Sequence, residues 1–131
     1  MDIKIDFFTE NFNEAIGAGI YQIDVCKGKD KHPKPLYIGE SEKVLSRCAD
    51  HLYELKKDPL YFGFDAETIN DSGITLKFSL IETGTTARKR REKELIQKRK
   101  PLSQSLKSDW QKTQDEKVKA LREFLYGCKE E

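Results

Sequence analysis

Apolar residues recur along the chain with two periods, and the switches between them mark its elements. Ile3, Ile5 and Phe7 alternate with Lys4 and Asp6, the pattern of a short edge strand, and Thr9 is placed to cap a brief helix ending near Gly17. Alternation resumes from Ile20 to Cys26. Lys27 to Lys34 is rich in lysine, proline and glycine, and Pro35 to Gly39 returns as a second strand, which predicts a β-hairpin with a long basic tip. Ile74, Leu76, Phe78 and Leu80 alternate with Thr75, Lys77 and Ser79 and predict a further strand. The helical period governs the rest. Val44, Leu45, Cys48, Leu52 and Leu55 share one face of a helix that Ser41 caps and that runs to about Lys57, where Asp58-Pro59 stops it. Pro59 to Ser72 reads as a loop. Thr85 or Thr86 opens a second helix to about Arg99, ended by Pro101, and Val118, Leu121 and Leu125 mark a last helix stopping at Gly127. Strands and helices in this order predict an α+β fold.

Length and composition narrow the class. At 131 residues and 37% apolar content, positions 1–131 fit one domain with its own core. Cys26, Cys48 and Cys128 are odd in number and lack Cys-x-x-Cys spacing, so neither a disulfide partner nor a zinc knuckle is expected. The N-terminus carries Asp2 and Asp6 where a signal peptide would be basic, and no apolar run reaches membrane-spanning length. A cytoplasmic protein without membrane contact is expected. The net charge is +1, but Arg88 to Lys100 holds eight basic and two acidic residues, a local +6 that leaves about −5 elsewhere. One basic surface on an otherwise acidic chain suits an anionic polymer, and it equally suits a solvated helix face or a docking surface for an acidic protein.

Candidate chemistry collects around two tripeptides. Gly19-Ile20-Tyr21 and Tyr37-Ile38-Gly39 put a tyrosine on each arm of the hairpin, each beside a glycine that permits close approach. Two phenols so placed can flank one phosphate, or be ordinary half-buried sheet tyrosines. Arg47 and His51 stack four residues apart along one edge of the first long helix; Arg47 is also within reach of Asp50 or Glu54, and His51 of a backbone carbonyl. Glu92 precedes Leu95 and Ile96 by three and four residues and so points inward with them, whereas Glu94 points away. A carboxylate aimed at apolar neighbours costs several kcal/mol unless a cation meets it, whether a metal ion or an arginine such as Arg88. Oxygen ligation with few protein ligands suits Mg²⁺.

These residues, in this order, resemble the GIY-YIG nucleases: Gly19-Ile20-Tyr21, Tyr37-Ile38-Gly39, Arg47 ten residues after Tyr37, His51, then Glu92 followed by Leu95-Ile96 and Lys100-Pro101. The resemblance covers a core of residues 18–104 and leaves 105–131 as a C-terminal helical extension. It implies a three-stranded antiparallel sheet flanked by helices and a metal-dependent DNA endonuclease of restriction, phage-defence, mobile-element or repair type. Glu92 would hold one divalent ion, Mg²⁺ or Mn²⁺, Arg47 would neutralise charge on the scissile phosphate, and Tyr21 would orient or deprotonate water with support from Tyr37. A phenol with a pKa of about 10 needs help as a base, and His51 is the available proton acceptor. Gly19, Gly39 and Gln104 take supporting places. Arg88, Lys89, Arg90, Arg91 and Lys93, with Lys27, Lys29, Lys31 and Lys34 of the hairpin tip, are candidate DNA phosphate contacts. Two positions depart from the pattern. Gln104 stands where the family commonly has asparagine, which bears on the orientation of Glu92 or substrate, and Glu40 where many members carry lysine. They support an alternative, a catalytically weak nucleic-acid-binding module. Tyr61, Phe62 and Phe64 suit base stacking or burial, Ser105 to Glu131 with Trp110 is expected to pack on the core, and monomer and homodimer both remain open.

Overall fold

Four strands build one mixed sheet in the computed structural model, which describes residues 1–28, 32–84, 86–104 and 112–127. They are β1 (Lys4–Phe7), β2 (Gly19–Lys27), β3 (Lys34–Ser41) and β4 (Ile74–Thr83), in the spatial order β1-β4-β2-β3. Three α-helices accompany them: α1 (Val44–Lys57), α2 (Arg88–Arg99) and α3 (Gln114–Tyr126). Lys29, Lys31, Thr85, Ser105, Trp110 and Cys128 lie outside the described residues. Among the described residues, no helix is long and apolar enough to cross a membrane, and Cys26 and Cys48 form no disulfide.

The expected three-stranded antiparallel sheet is corrected to a four-stranded mixed one. The hairpin of β2 and β3 and the antiparallel pairing of β2 with β4 match that expectation, but β1 adds to the far edge of β4 in parallel, Lys4 against Thr75 through Phe7 against Phe78. Alternation in Ile3, Ile5 and Phe7 identifies a strand but is blind to its direction, because side chains alternate identically either way. Phe7, Phe8 and Phe78 lock the junction, with the Phe7 ring 4.8 Å from Phe8 and 5.3 Å from Phe78.

Several helix starts also differ. Thr9 donates to Asp6 instead of capping a helix, and the turn there is a single 3₁₀ turn at Glu14–Ile16. α1 begins at Val44 after Lys43, with the Ser41 hydroxyl accepting only the Lys43 N–H. α2 begins at Arg88 behind Ala87, whose φ of 61° is left-handed. The stretch after α1 holds two 3₁₀ turns, Pro59–Phe62 and Thr68–Asn70, with Asp58 capping the first. α3 starts on a capping box in which Thr113 and Glu116 satisfy each other's backbone N–H groups.

Alternate residues of β2 enter two separate cores. Tyr21, Ile23 and Val25 pack with Val44, Cys48 and Leu55 of α1, Phe62 and Phe64, Leu76 and Phe78, and Leu121 and Leu125 of α3. Ile20 joins Ile38 of β3 and Leu95 and Ile96 of α2 on the other face. β3 is the sheet's other edge, and its outward backbone groups are taken up locally. Ser103 donates through both backbone and hydroxyl to the Leu36 carbonyl, while the Gln104 amide accepts from the Ile38 N–H and donates to the Ile38 carbonyl, both at 2.8 Å. An edge closed this way offers no free ladder to another chain.

Candidate functional site

The two tyrosines meet through their glycines. In the β2–β3 register Tyr21 lies opposite Gly39 and Tyr37 opposite Ile23, so the phenols sit diagonally on one face with ring centroids 6.2 Å apart and planes 20° from parallel. The Tyr21 ring lies directly over Gly39: a Cβ there would stand 2.5 Å from Tyr21 Cζ and closer still to its hydroxyl. Gly19 serves the other side, where a Cβ would strike the Glu82 carbonyl and come within 2.9 Å of Leu80 Cδ1. Beside it, β2 bulges against β4 between Ile20 and Tyr21, and bulges re-aim side chains next to functional sites.

His51 comes to these phenols from α1 and is fully buried. Its Nε2 lies 2.7 Å from the Tyr21 hydroxyl and its Nδ1 2.9 Å from the Tyr61 hydroxyl, while its ring stands 4.8 Å from Tyr37. Burial, reinforced by the Arg47 charge, drives its pKa down to about 3, so the imidazole is neutral and has one donor and one acceptor nitrogen to divide between two phenols. Burial pushes the Tyr21 hydroxyl well up, with Tyr37 and Cys48 adding and Arg47 pulling down. Tyr37 and Tyr61 are raised by burial too, again against the pull of Arg47. Arg47 is itself held cationic: partial burial works against its charge, but Tyr21, Tyr37, Tyr61 and Asp50 outweigh it.

Glu92 reaches the same neighbourhood from α2, along the outer edge of β3. Its half-buried carboxylate accepts the Glu40 backbone N–H, and its pKa is raised by burial and then by the Glu40 charge, against Lys89 and Lys93. It opposes ionisation of both Tyr21 and Tyr37. Arg88 reaches Glu40, Nε to Oε1 at 3.1 Å, so the negative charge that departs from the family pattern has a cation on it. Among the described residues no three His, Cys, Asp or Glu side chains gather as a metal cluster. A divalent ion at Glu92 would have that carboxylate as its protein ligand, a donor set that Mg²⁺ tolerates because it keeps most of its waters.

Gln104 has a structural duty, its amide accepting from the Ile38 N–H and donating to the Ile38 carbonyl on the β3 edge. Phe62 and Phe64 are buried and Tyr61 is half-buried, so the first two do not present faces to bases. Arg91, Lys89, Arg90 and Lys93 of α2 are all exposed, Arg91 while paired with Glu82 at 2.7 Å and Glu94 at 3.5 Å, and Lys34 is half-buried on β3. Arg47 lines two adjoining spaces. One is an open groove of about 580 Å³ with Glu40, Ser46, Asp50, Arg88 and Lys89 on its walls; the other is a cavity of about 130 Å³ bounded by Tyr37, Tyr61, Phe62 and Lys117. Periodicity gave no signal for Lys117 or for the Tyr61 contact with His51, since both depend on contacts between distant elements. The capping box that starts α3 was legible as Thr113-x-x-Glu116. No family model, no curated protein and no solved structure matches the chain.

Proposed function

We propose that the protein is a metal-dependent DNA endonuclease of the GIY-YIG type. The observation that carries this reading is the convergence of Tyr21, Tyr37, Arg47 and His51 from β2, β3 and α1 on one sheet face, with Glu92 brought in along the β3 edge from α2. Side chains with only core duties have no need to assemble a guanidinium, a neutral imidazole, two phenols and a half-buried carboxylate at one place.

In this reading Arg47 binds a non-bridging oxygen of the scissile phosphate and offsets the charge that grows as water attacks phosphorus and the bond to the leaving oxygen breaks. A divalent ion held by Glu92 would polarise the phosphate and stabilise that leaving oxygen. Tyr21 takes the water's proton as its own passes to His51 Nε2. His51, unable to stay protonated in its buried place, gives its Nδ1 proton to the Tyr61 oxygen as Tyr61 releases its own hydroxyl proton to water in the small cavity. Tyr37 is supported by Arg47 and faces the same cavity, where it can donate to water or phosphate.

One observation favours the second reading, a nucleic-acid-binding module with little catalysis: Tyr21 is 1% exposed and its hydroxyl is already occupied by His51. The two separate in one assay, nicking and linearisation of supercoiled plasmid at low salt with Mg²⁺, Mn²⁺ or EDTA, for wild type and Glu92→Gln. Metal-dependent cutting that Glu92→Gln abolishes, with DNA binding kept, is the expected outcome. Salt-sensitive DNA binding with no cutting by the wild type supports the module, and equal cutting by both proteins overturns the role of Glu92.

A further inference from the structure

We propose that the cavity bounded by Tyr37, Arg47, Tyr61, Phe62 and Lys117 is an oxyanion subsite for a nucleic-acid phosphodiester, with Lys117 of α3 as its second cation. The choice of a phosphodiester rests on the nuclease reading; the anion site itself does not. Neither Lys117 nor Tyr61 lies in the motifs that carry the resemblance, and Lys117 stands outside the 18–104 core altogether.

The wall of this cavity is unbalanced. Among the described residues it has two cations, two phenols and one phenyl ring, and no carboxylate. Lys117 is half-buried, and burial lowers its pKa, with no acidic side chain among the described residues counteracting it. Its ammonium donates one hydrogen bond, to the Tyr61 carbonyl at 2.9 Å, and lies 5.8 Å from the centre of the Tyr61 ring. An ammonium has three donors, so capacity is left on the cavity side. A cation withdrawn from water without a counter-ion is costly, and an incoming anion recovers that cost.

The position of Lys117 is enforced by the backbone. Gly63 has a φ of 91°, and a Cβ on it would stand 2.7 Å from the Lys117 carbonyl carbon, so the 3₁₀ turn and the first turns of α3 press together because residue 63 has no side chain. The capping box at Thr113 and Glu116 fixes where α3 begins, at Gln114, three residues before Lys117. At about 130 Å³ the cavity has roughly the liquid volume of four waters. That suits a compact anion and not a base or a larger ligand, whose sites run from about 300 Å³ upward.

The test compares wild type, Lys117→Met and Lys117→Arg. Met keeps the apolar stem and removes the charge, Arg keeps the charge, and thermal unfolding establishes that each variant is folded. Inorganic phosphate is titrated while the NMR signals of the Lys117 side chain and the Tyr61 ring are followed, and binding of a short DNA duplex is measured by anisotropy across a salt series. The expected result is a saturable phosphate shift of Tyr61 that Lys117→Met loses. The slope of log K against log salt falls by about 0.9 in the Met variant and is kept in the Arg variant. Unchanged slope and unchanged phosphate shifts in a folded Lys117→Met overturn the proposal and make Lys117 a strut between α3 and the turn. Phosphate shifts with unchanged duplex slopes overturn the phosphodiester assignment. Lys117-dependent shifts and slopes in a protein that cuts no DNA uphold the subsite while the nuclease reading fails.

Discussion

Gly39→Ala tests how the two tripeptides depend on each other. The new Cβ would lie 2.5 Å from Tyr21 Cζ and 3.0 Å from Cε1, with the hydroxyl nearer still, and these atoms are not the loose end of a flexible chain. Tyr21 is 1% exposed, boxed in by His51 and by the α1 side of the core. The ring must therefore shift, and the 2.7 Å hydrogen bond to His51 goes with it. Overpacking costs about 1–3 kcal/mol, and stranding a buried hydroxyl and imidazole costs about 1–3 kcal/mol more. The smaller conformational freedom of alanine in the unfolded chain returns roughly 0.4–1 kcal/mol. A net loss of about 2–5 kcal/mol follows, or roughly 8–20 °C in Tm for a domain of this size. Thermal and denaturant unfolding of wild type, Gly39→Ala, Tyr21→Leu and the double variant measure it. The glycine change should cost at least about 1 kcal/mol less when Tyr21 is already leucine. A Tm within about 2 °C of wild type, or strict additivity in the cycle, would refute the steric account of the paired motifs.

Three further outcomes are expected. His51 titrates at about 3 in the fold against an ordinary value of about 6.5, so the unfolded chain takes up its proton first. Its neutral form gives full stability above pH 6.5, and that share is lost as pH falls from 6.5 towards 3, by at most about 1.4 kcal/mol per pH unit. The difference between wild-type and His51→Gln unfolding curves isolates it from Arg47, Tyr21, Tyr37 and Tyr61 around the ring and from carboxylates such as Asp71, which sits at about 2. A flat difference over that window would mean that His51 is not buried neutral. Gln104→Ala strands the Ile38 N–H and C=O on the β3 edge, which should cost roughly 2–4 kcal/mol and speed exchange of the Ile38 amide; unaltered exchange would show that water replaces the side chain without penalty. Arg47→Ala should lower the cleavage rate by about 10²–10³. A loss below about tenfold would mean that Arg47, exposed on α1, does not stabilise the transition state.

Much of this arrangement was readable before the fold. Period-two alternation found β1, β2 and β4, the loop of lysine, proline and glycine found β3 as the returning arm of a hairpin, and the apolar face of α1 was assigned through Val44, Cys48 and Leu55, because burial on one side imposes its period on local sequence. The direction of β1 was not, since alternation carries no polarity. Proline and glycine stops were read well at Asp58 and Gly127, while the starts at Val44 and Arg88 were missed, their first residues following Lys43 and Ala87, which form no side-chain cap. The tyrosines, Arg47, His51 and Glu92 stood out by type and spacing; helix geometry aimed Glu92 inward and set Arg47 and His51 along one edge of α1, where His51 is buried and Arg47 exposed.

Tertiary structure decided which of them touch. That His51 divides its two nitrogens between Tyr21 and Tyr61, that Gln104 closes an edge, and that Arg88 neutralises Glu40 all join residues 10 to 66 positions apart. Local pattern cannot specify such pairs, because the partner is chosen by packing and strand register, and each of these depends on the whole chain at once. The same is true of Lys117, an unremarkable lysine on an amphipathic helix until Gly63 lets that helix close on the turn beneath it. The sequence by itself determined which elements form and which side chains stand as candidates for chemistry; the fold determined their partners, their burial and hence their charge states.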